Sequence, residues 1–384
     1  MGIIDVDKKY VANTYKREDV VFLKGKGSTL YDNTNEKYID FGSGIAVTGL
    51  GFSNKKWKKT VINQIKKLPH TSNLYYSEPC AKLAKLLCKR TKMRKVFFGN
   101  SGAEANECAI KVARKYSFDK YGDGRNRIIT LVNSFHGRTI TTLSATGQDV
   151  FHNYFMPFTD GFDYVPADDF DALKETVTDK TCAVMLELVQ GEGGVHVLDK
   201  EYVKKVYELC KSKDLILIID EVQTGNGRTG TLYAYMQYDI KPDIVTTAKG
   251  LGNGLPIGAC MLNDKVENVL SYGSHGSTFG GNPVASAGAY TVINCIDDKL
   301  LASVKEKSQK IKTALNSLKN VKSVSGLGLM LGIEVENAQE VKKKCLEHGL
   351  IVLTAKDKIR LLPALNISEH ELDAGLNILC EVLK

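Results

Sequence analysis

The chain has 384 residues, more than one hydrophobic core usually supports, so two domains are expected; its 43% hydrophobic and 25% charged content is that of an ordinary globular protein. The net charge of +8, from 52 basic and 44 acidic residues, is spread over lysines such as Lys55, Lys56, Lys58 and Lys59, with no aromatic-interleaved basic patch, which argues against a nucleic-acid surface. No apolar run approaches the ~18 residues of a membrane span, and nine scattered cysteines without a C-x-x-C pair fit reduced thiols in the cytoplasm. The start of the chain carries no apolar signal stretch, and Val6 stands where a myristoylation site needs Ser or Thr.

Taken in order, the first 45 or so residues hold short strand patterns around Tyr31 and Tyr38-Ile39-Asp40-Phe41. Val96-Phe97-Phe98 then precedes a helix with Ala105, Cys108, Ala109, Val112 and Ala113 on one face. Strand-like runs follow at 128–132, 183–186, 215–219, 244–246 and 257–262. Their alternation with helical patterns predicts a doubly wound, mostly parallel sheet flanked by helices. From about Ala285 the texture changes. One long helical stretch to about Leu318 is followed by short strands at 331–335, 351–353 and 359–362. A final helix begins at Ser368, which forms a capping box with Glu371. This last region reads as a smaller α+β domain.

Two apolar runs carry the chemistry. Leu215-Ile216-Leu217-Ile218-Ile219 runs straight into Asp220, and Ile244-Val245-Thr246 leads to Lys249. Continuous runs of this kind suit strands buried on both faces. A carboxylate and a lysine just past the carboxyl ends of such strands lie where open α/β sheets place ligands. The lysine could serve as a Schiff-base nucleophile, and the aspartate could hold a protonated ring nitrogen. Phe98-Gly99-Asn100-Ser101-Gly102-Ala103-Glu104 joins a strand to a helix, and its small residues let backbone N–H groups approach a phosphate. After another strand, Phe135 suits stacking on a planar ring and Arg138 suits a carboxylate in its fork. His136 offers a base, but no metal or triad spacing accompanies it. Residues 276–283, rich in glycine and hydroxyls, suit a second phosphate contact. Gly225-Asn226-Gly227-Arg228-Thr229-Gly230 matches a dinucleotide fingerprint, yet five residues separate it from its strand and no capped helix opens after it.

Read together, residues 98–107, 220–230, 249–258 and 276–283 resemble the class III (ornithine/GABA-type) pyridoxal-phosphate aminotransferases, and the resemblance spans nearly the whole chain. Within that class, His70-Thr71-Ser72-Asn73-Leu74-Tyr75-Tyr76 and Phe135-His136-Gly137-Arg138-Thr139 are most similar to the acetylornithine branch. The resemblance implies a fold-type-I, aspartate aminotransferase-like transferase. Residues 1–45 would pack with the small domain, 46–284 would form the large cofactor domain, and 285–384 the small C-terminal domain.

It also implies pyridoxal 5′-phosphate as cofactor and a role for each matching residue. Lys249 is then the Schiff-base lysine and proton shuttle, and Asp220 holds the pyridine nitrogen. Gln223 bonds the phenolic oxygen and Phe135 stacks on the ring. Gly102 and Ala103 take the phosphate by their backbone amides, with Ser101, Glu221 and Val222 completing the cofactor set. Thr278 reaches that phosphate from the neighbouring subunit, so the implied assembly is a homodimer with shared sites. Arg138, assisted by Ser277, takes the α-carboxylate of N-acetylornithine, and Arg360 takes that of 2-oxoglutarate. Glu192 neutralises Arg360 while the donor is bound. The implied reaction moves the δ-amino group of N-acetylornithine to 2-oxoglutarate, a step of arginine biosynthesis in the cytoplasm. It calls for no metal, nucleic acid or membrane. Succinylornithine, succinyldiaminopimelate, ornithine and GABA aminotransferases share the cofactor site and differ only in contacts to the donor. A non-catalytic protein of this fold would have lost the lysine or the aspartate, and both are present. Leu188 and Ala364 replace prolines of the family pattern, and Gly51-Phe52-Ser53-Asn54 replaces a Gly-His-rich turn.

Overall fold

The computed structural model describes residues 2–384. Its largest element is a seven-stranded sheet whose strands run, edge to edge, Lys95–Gly99, Gly258–Leu262, Ile244–Thr247, Ile216–Asp220, Thr181–Leu186, Arg127–Leu131 and Phe162–Val165. Six are parallel, and Gly258–Leu262 is antiparallel to both neighbours. The short link from Thr247 to Gly258 holds only the 3₁₀ turn Lys249–Leu251, too little for the crossover that a parallel return requires. Sequence periodicity marks that strand but not its direction. It also misses Phe162–Val165, a four-residue, half-exposed edge strand whose Asp163 pairs with Arg127 next door.

Both faces of the sheet are dry. Leu217 and Ile219 join one apolar cluster with Val203 and Val206 of the helix Lys200–Ser212. Ile216 and Ile218 join a second cluster with Cys108, Ala109, Val112 and Ala113 of the helix Gly102–Tyr121. Alternate residues of one strand thus feed opposite layers, the period of two that an extended chain imposes. Burial on both sides is why the strand reads as one unbroken apolar run.

The long stretch expected from 285 to 318 is two helices, Pro283–Cys295 and Asp298–Asn316. Asp297 breaks it by accepting a hydrogen bond from Leu300 N at 2.8 Å as an N-cap. Ala285, Ala289, Val292 and Ile293 of the first helix pack into the core beneath the large sheet. Val304 and Ile311 of the second enter a separate core with Leu331, Ile333, Ile359, Leu361 and Leu372. We therefore propose that the smaller unit begins near Asp297. Its antiparallel sheet orders Ser323–Leu327, Met330–Glu334, Lys358–Leu361 and Leu353–Ala355. The expected strand at 351–353 is divided between two sheets, for Leu350–Ile351 pairs with Lys37–Asp40 from the start of the chain. Ser368 and Glu371 form the expected capping box, and Glu371 Oε1 also accepts from Ser28 N at 2.8 Å and Thr29 Oγ1 at 3.0 Å. No helix among the described residues is long and apolar enough to cross a membrane.

The glycine-rich turn after Asp220 is a structural joint. Arg228, 2% exposed, donates to the carbonyls of Leu329 at 3.0 Å and of Pro363, both in the smaller unit. Glu221, fully buried, braces the turn by accepting from Thr224 Oγ1 at 2.5 Å and Tyr235 N at 2.8 Å. Burial pushes its carboxyl up to about 7 from 4.5. The folded chain holds this proton more tightly than the unfolded chain, so ionisation opposes folding. The stability it contributes is full below pH 4.5 and is lost as pH rises to about 7. Glu221→Gln is expected to keep the bond from Tyr235 N, to reverse the one with Thr224 so that the amide donates to Oγ1, and to remove this loss. Urea unfolding at pH 5 and pH 7.5 should show a smaller fall in midpoint than the parent chain, and an equal fall would refute the assignment.

Candidate active site

The carboxyl ends of the parallel strands open onto a cavity of about 570 Å³. Asp220, the last residue of its strand and 3% exposed, lies at its base. One carboxylate oxygen accepts from Asn106 Nδ2 and His136 Nδ1, each at 2.8 Å, and the other from Val222 N at 2.9 Å. Asn106 is locked in turn, donating to His136 O at 2.7 Å and accepting from Thr246 Oγ1 at 2.7 Å. Three donors aimed at one buried carboxylate satisfy its oxygens and fix its orientation.

Lys249 shares the cavity, two residues past the strand Ile244–Thr247. Its backbone φ of 42° lies in the left-handed region that a side chain disfavours, and such strain clusters at functional sites. Burial lowers the pKa of its ammonium, while Glu192 and Asp220 oppose that shift. An amine of this kind yields its proton more readily than a surface lysine does.

On one wall the helix Gly102–Tyr121 begins. Ser101 caps it by accepting from Glu104 N at 3.1 Å, and Glu104 returns to Asn100 N at 2.6 Å. Glycine is required at 102 because a Cβ would come within 2.7 Å of Val222 Cγ1. The first N–H groups of this helix border the cavity at Gly102 and Ala103 and make an anion cradle.

On the other wall Phe135 donates its backbone N–H to Glu187 Oε2 at 2.8 Å. Burial pushes the Glu187 carboxyl up to about 7. Arg138 reaches the rim beside Phe135. Beside Gln223, Arg360 is 3% exposed and donates to both oxygens of Glu192, at 2.7 and 3.2 Å, and to Gln223 Oε1 at 3.2 Å. Burial alone would raise the Glu192 carboxyl, yet Arg360 beside it holds it below the usual range.

The structure therefore brings together Ser101, Gly102, Ala103, Phe135, Arg138, Asp220, Val222, Gln223 and Lys249 around one cavity. Glu192 and Arg360 join it through Gln223. Glu221, grouped with the cofactor residues from sequence, instead faces away into the core beside Thr224 and Tyr235. Ser277 lies behind the wall, accepting from Asn100 Nδ2 at 3.0 Å, and Thr278 is exposed outside this cavity. Asn106, Glu187 and Tyr15 border the cavity without having been assigned roles from sequence. Asn106 had a legible signal, a polar residue beside the apolar stripe of its helix. Glu187 had the same signal as Asp220, a carboxylate directly after an apolar run. Tyr15, from an irregular segment, had none. His136 is buried and bonded to Asp220, so it orients the carboxylate.

The model of aminotransferase class III matches residues 10–383. The acetylornithine aminotransferase of Haemophilus ducreyi is 53% identical over 99% of this chain and 98% of its own length. That of Methanocaldococcus jannaschii is 46% identical over 99% and 97%. Among solved structures, N-acetylornithine aminotransferase from Stenotrophomonas maltophilia matches with a TM-score of 0.86 at 34% identity, covering 99% of this chain and 98% of that one. Ornithine aminotransferase from Toxoplasma gondii matches with a TM-score of 0.94 at 32% identity, covering 99% and 93%. Matched end to end by the family model and by these relatives, the chain belongs to the class III aminotransferases.

Proposed function

We propose that this chain is a pyridoxal-phosphate-dependent transaminase that moves the δ-amino group of N-acetylornithine to 2-oxoglutarate. The observation that carries the reading is a half-buried lysine sharing one cavity with a triply bonded aspartate, with two guanidinium groups near them. The donor set fits this cofactor at each end. Asp220 suits a protonated ring nitrogen, Phe135 a ring face and Gln223 a phenolic oxygen. The backbone amides at Gly102 and Ala103, with Ser101, suit its phosphate, and Lys249 suits its aldehyde. When bound, the cofactor supplies an aldehyde that condenses with amines and a cationic ring that draws electrons from the adjoining carbon.

The residues of the chain do the rest. Lys249, its pKa lowered by burial, takes the proton from the δ-carbon of the donor and returns it on the other side of the transfer. Arg138 orients the donor by taking its α-carboxylate, with Ser277 assisting from behind the wall. Arg360 would otherwise offer a second, competing carboxylate site. Glu192 occupies its fork, and an uncompensated guanidinium at this depth would cost about 3–5 kcal/mol. When 2-oxoglutarate arrives, Glu192 swings aside and Arg360 takes the α-carboxylate. Arg360 Nε has no acceptor among the described residues, which leaves a donor for that ligand.

Two copies complete the site. Thr278, exposed here, would reach the phosphate of the other subunit, and Leu74, Tyr75, Tyr76 and Phe279 leave apolar surface on the same loops. Asn73 ties those loops together by donating to Ser277 O at 2.8 Å and Gly280 O at 2.9 Å. The nine unpaired cysteines support a cytoplasmic setting.

The reading is tested on chemistry, on the carboxylate switch and on assembly. With the cofactor supplied, turnover should be fastest with N-acetylornithine, borohydride should label Lys249, and Lys249→Ala should abolish turnover; faster use of free ornithine or GABA would change the donor. Glu192→Ala should slow the N-acetylornithine half-reaction relative to the glutamate half-reaction by about ten-fold or more, equivalent to about 1.4 kcal/mol, and an unchanged ratio refutes the switch. Sedimentation should return twice the 42.3 kDa chain mass, and a monomer at working concentration refutes the shared site.

A further inference from the structure

The two guanidinium groups near the cavity are held by opposite chemistry. Arg360 is clamped by a carboxylate. Arg138 makes no ion pair or hydrogen bond through its guanidinium to any described residue. Instead its central carbon lies 4.0 Å from the ring centroid of Phe151 and 5.6 Å from that of Phe135. The two rings meet edge to face, with centroids 5.9 Å apart and planes at 75°. Phe151 ends a short 3₁₀ turn, Asp149–Phe151, and stands outside the cavity that Phe135 and Arg138 border.

The turn is pinned to the loop that carries Arg138. Val132 and Gly147 form an isolated bridge, and Asn133 N donates to Gly147 O at 2.7 Å. Gly147 N donates to Ser134 Oγ at 3.0 Å, and Gln148 Nε2 to Ser134 O at 2.9 Å. The approach is so close that a Cβ at Gly147 would lie 2.1 Å from Leu131 O, so only glycine fits. Phe151 N then closes the turn onto Gln148 O at 3.0 Å. The ring is therefore carried on the same rigid frame as the arginine.

We infer that Phe151 is a positioning residue that presents Arg138 to the carboxylate of the amino donor. This rests on the role of Arg138 proposed above. A guanidinium stacked on a ring keeps its N–H edge free, whereas one held by a carboxylate must first lose that partner. Stacking also removes rotamer freedom that binding would otherwise have to remove. The ring thus makes the Arg138 site permanently open, while Glu192 makes the Arg360 site conditional. It also sets a preference for donors that bear a carboxylate over plain alkylamines.

The test compares Phe151→Leu, Phe151→Tyr and Arg138→Ala in the cofactor-loaded dimer. Each is assayed in the donor half-reaction with N-acetylornithine and with butylamine, which has no carboxylate. Phe151→Leu should raise KM for N-acetylornithine about three- to ten-fold with little change in kcat, leave butylamine unchanged, and be rescued by Phe151→Tyr. Arg138→Ala should raise the same KM further. If Arg138→Ala raises KM and Phe151→Leu does not, the inference fails and the Arg138 reading stands. If Phe151→Leu slows butylamine equally, the ring has only a structural role and the inference fails. If Arg138→Ala changes nothing, the Arg138 reading itself fails, and the inference with it.

Discussion

The site depends on three donors fixing one carboxylate that is almost wholly out of water. Asn106, His136 and Val222 N all donate to Asp220, so this buried polar group is not left without partners. Each donor comes from a different element, the long helix, the loop after Arg127–Leu131 and the turn after Asp220 itself. The sheet order is what lets them converge. Thr246, beside Asp220 in register, holds Asn106, so the strand that leads to Lys249 also orients the aspartate.

Charge is then managed differently at each step outward. Lys249 is destabilised as a cation by burial and sits on a strained turn, both of which favour reactivity over stability. Arg138 is stacked on an aromatic ring and stays open. Arg360 is closed by Glu192. Lys249 and Arg360 repel each other, and the carboxylates Glu192 and Asp220 offset that repulsion without occupying the fork of Arg138.

Much of this was legible in the residues. The apolar runs before Asp220 and Lys249 suit strands of a sheet covered on both faces, and the small-residue turn at 98–104 joins a strand to the helix whose first residues border the cavity. Other features were hidden because they are cooperative. The split of 285–318 into two helices turns on one capping bond at Asp297, and the division of 350–355 between two sheets turns on pairing with residues more than 300 positions away. Glu221 was misplaced for a related reason. Adjacent residues after a strand end face different directions, and only the packing of Tyr235 shows which way this one turns.

The sequence by itself determined the class of chemistry, because a lysine, an aspartate and small-residue turns at strand ends are local signals that survive without coordinates. Tertiary structure alone decided the state of each group. Whether a guanidinium is stacked or clamped, and whether a carboxylate is free or held by three donors, depends on side chains brought together from distant segments. Phe151 and Arg138 are only thirteen residues apart, yet it is the pairing of Gly147 with the end of a strand that seats one ring against one arginine.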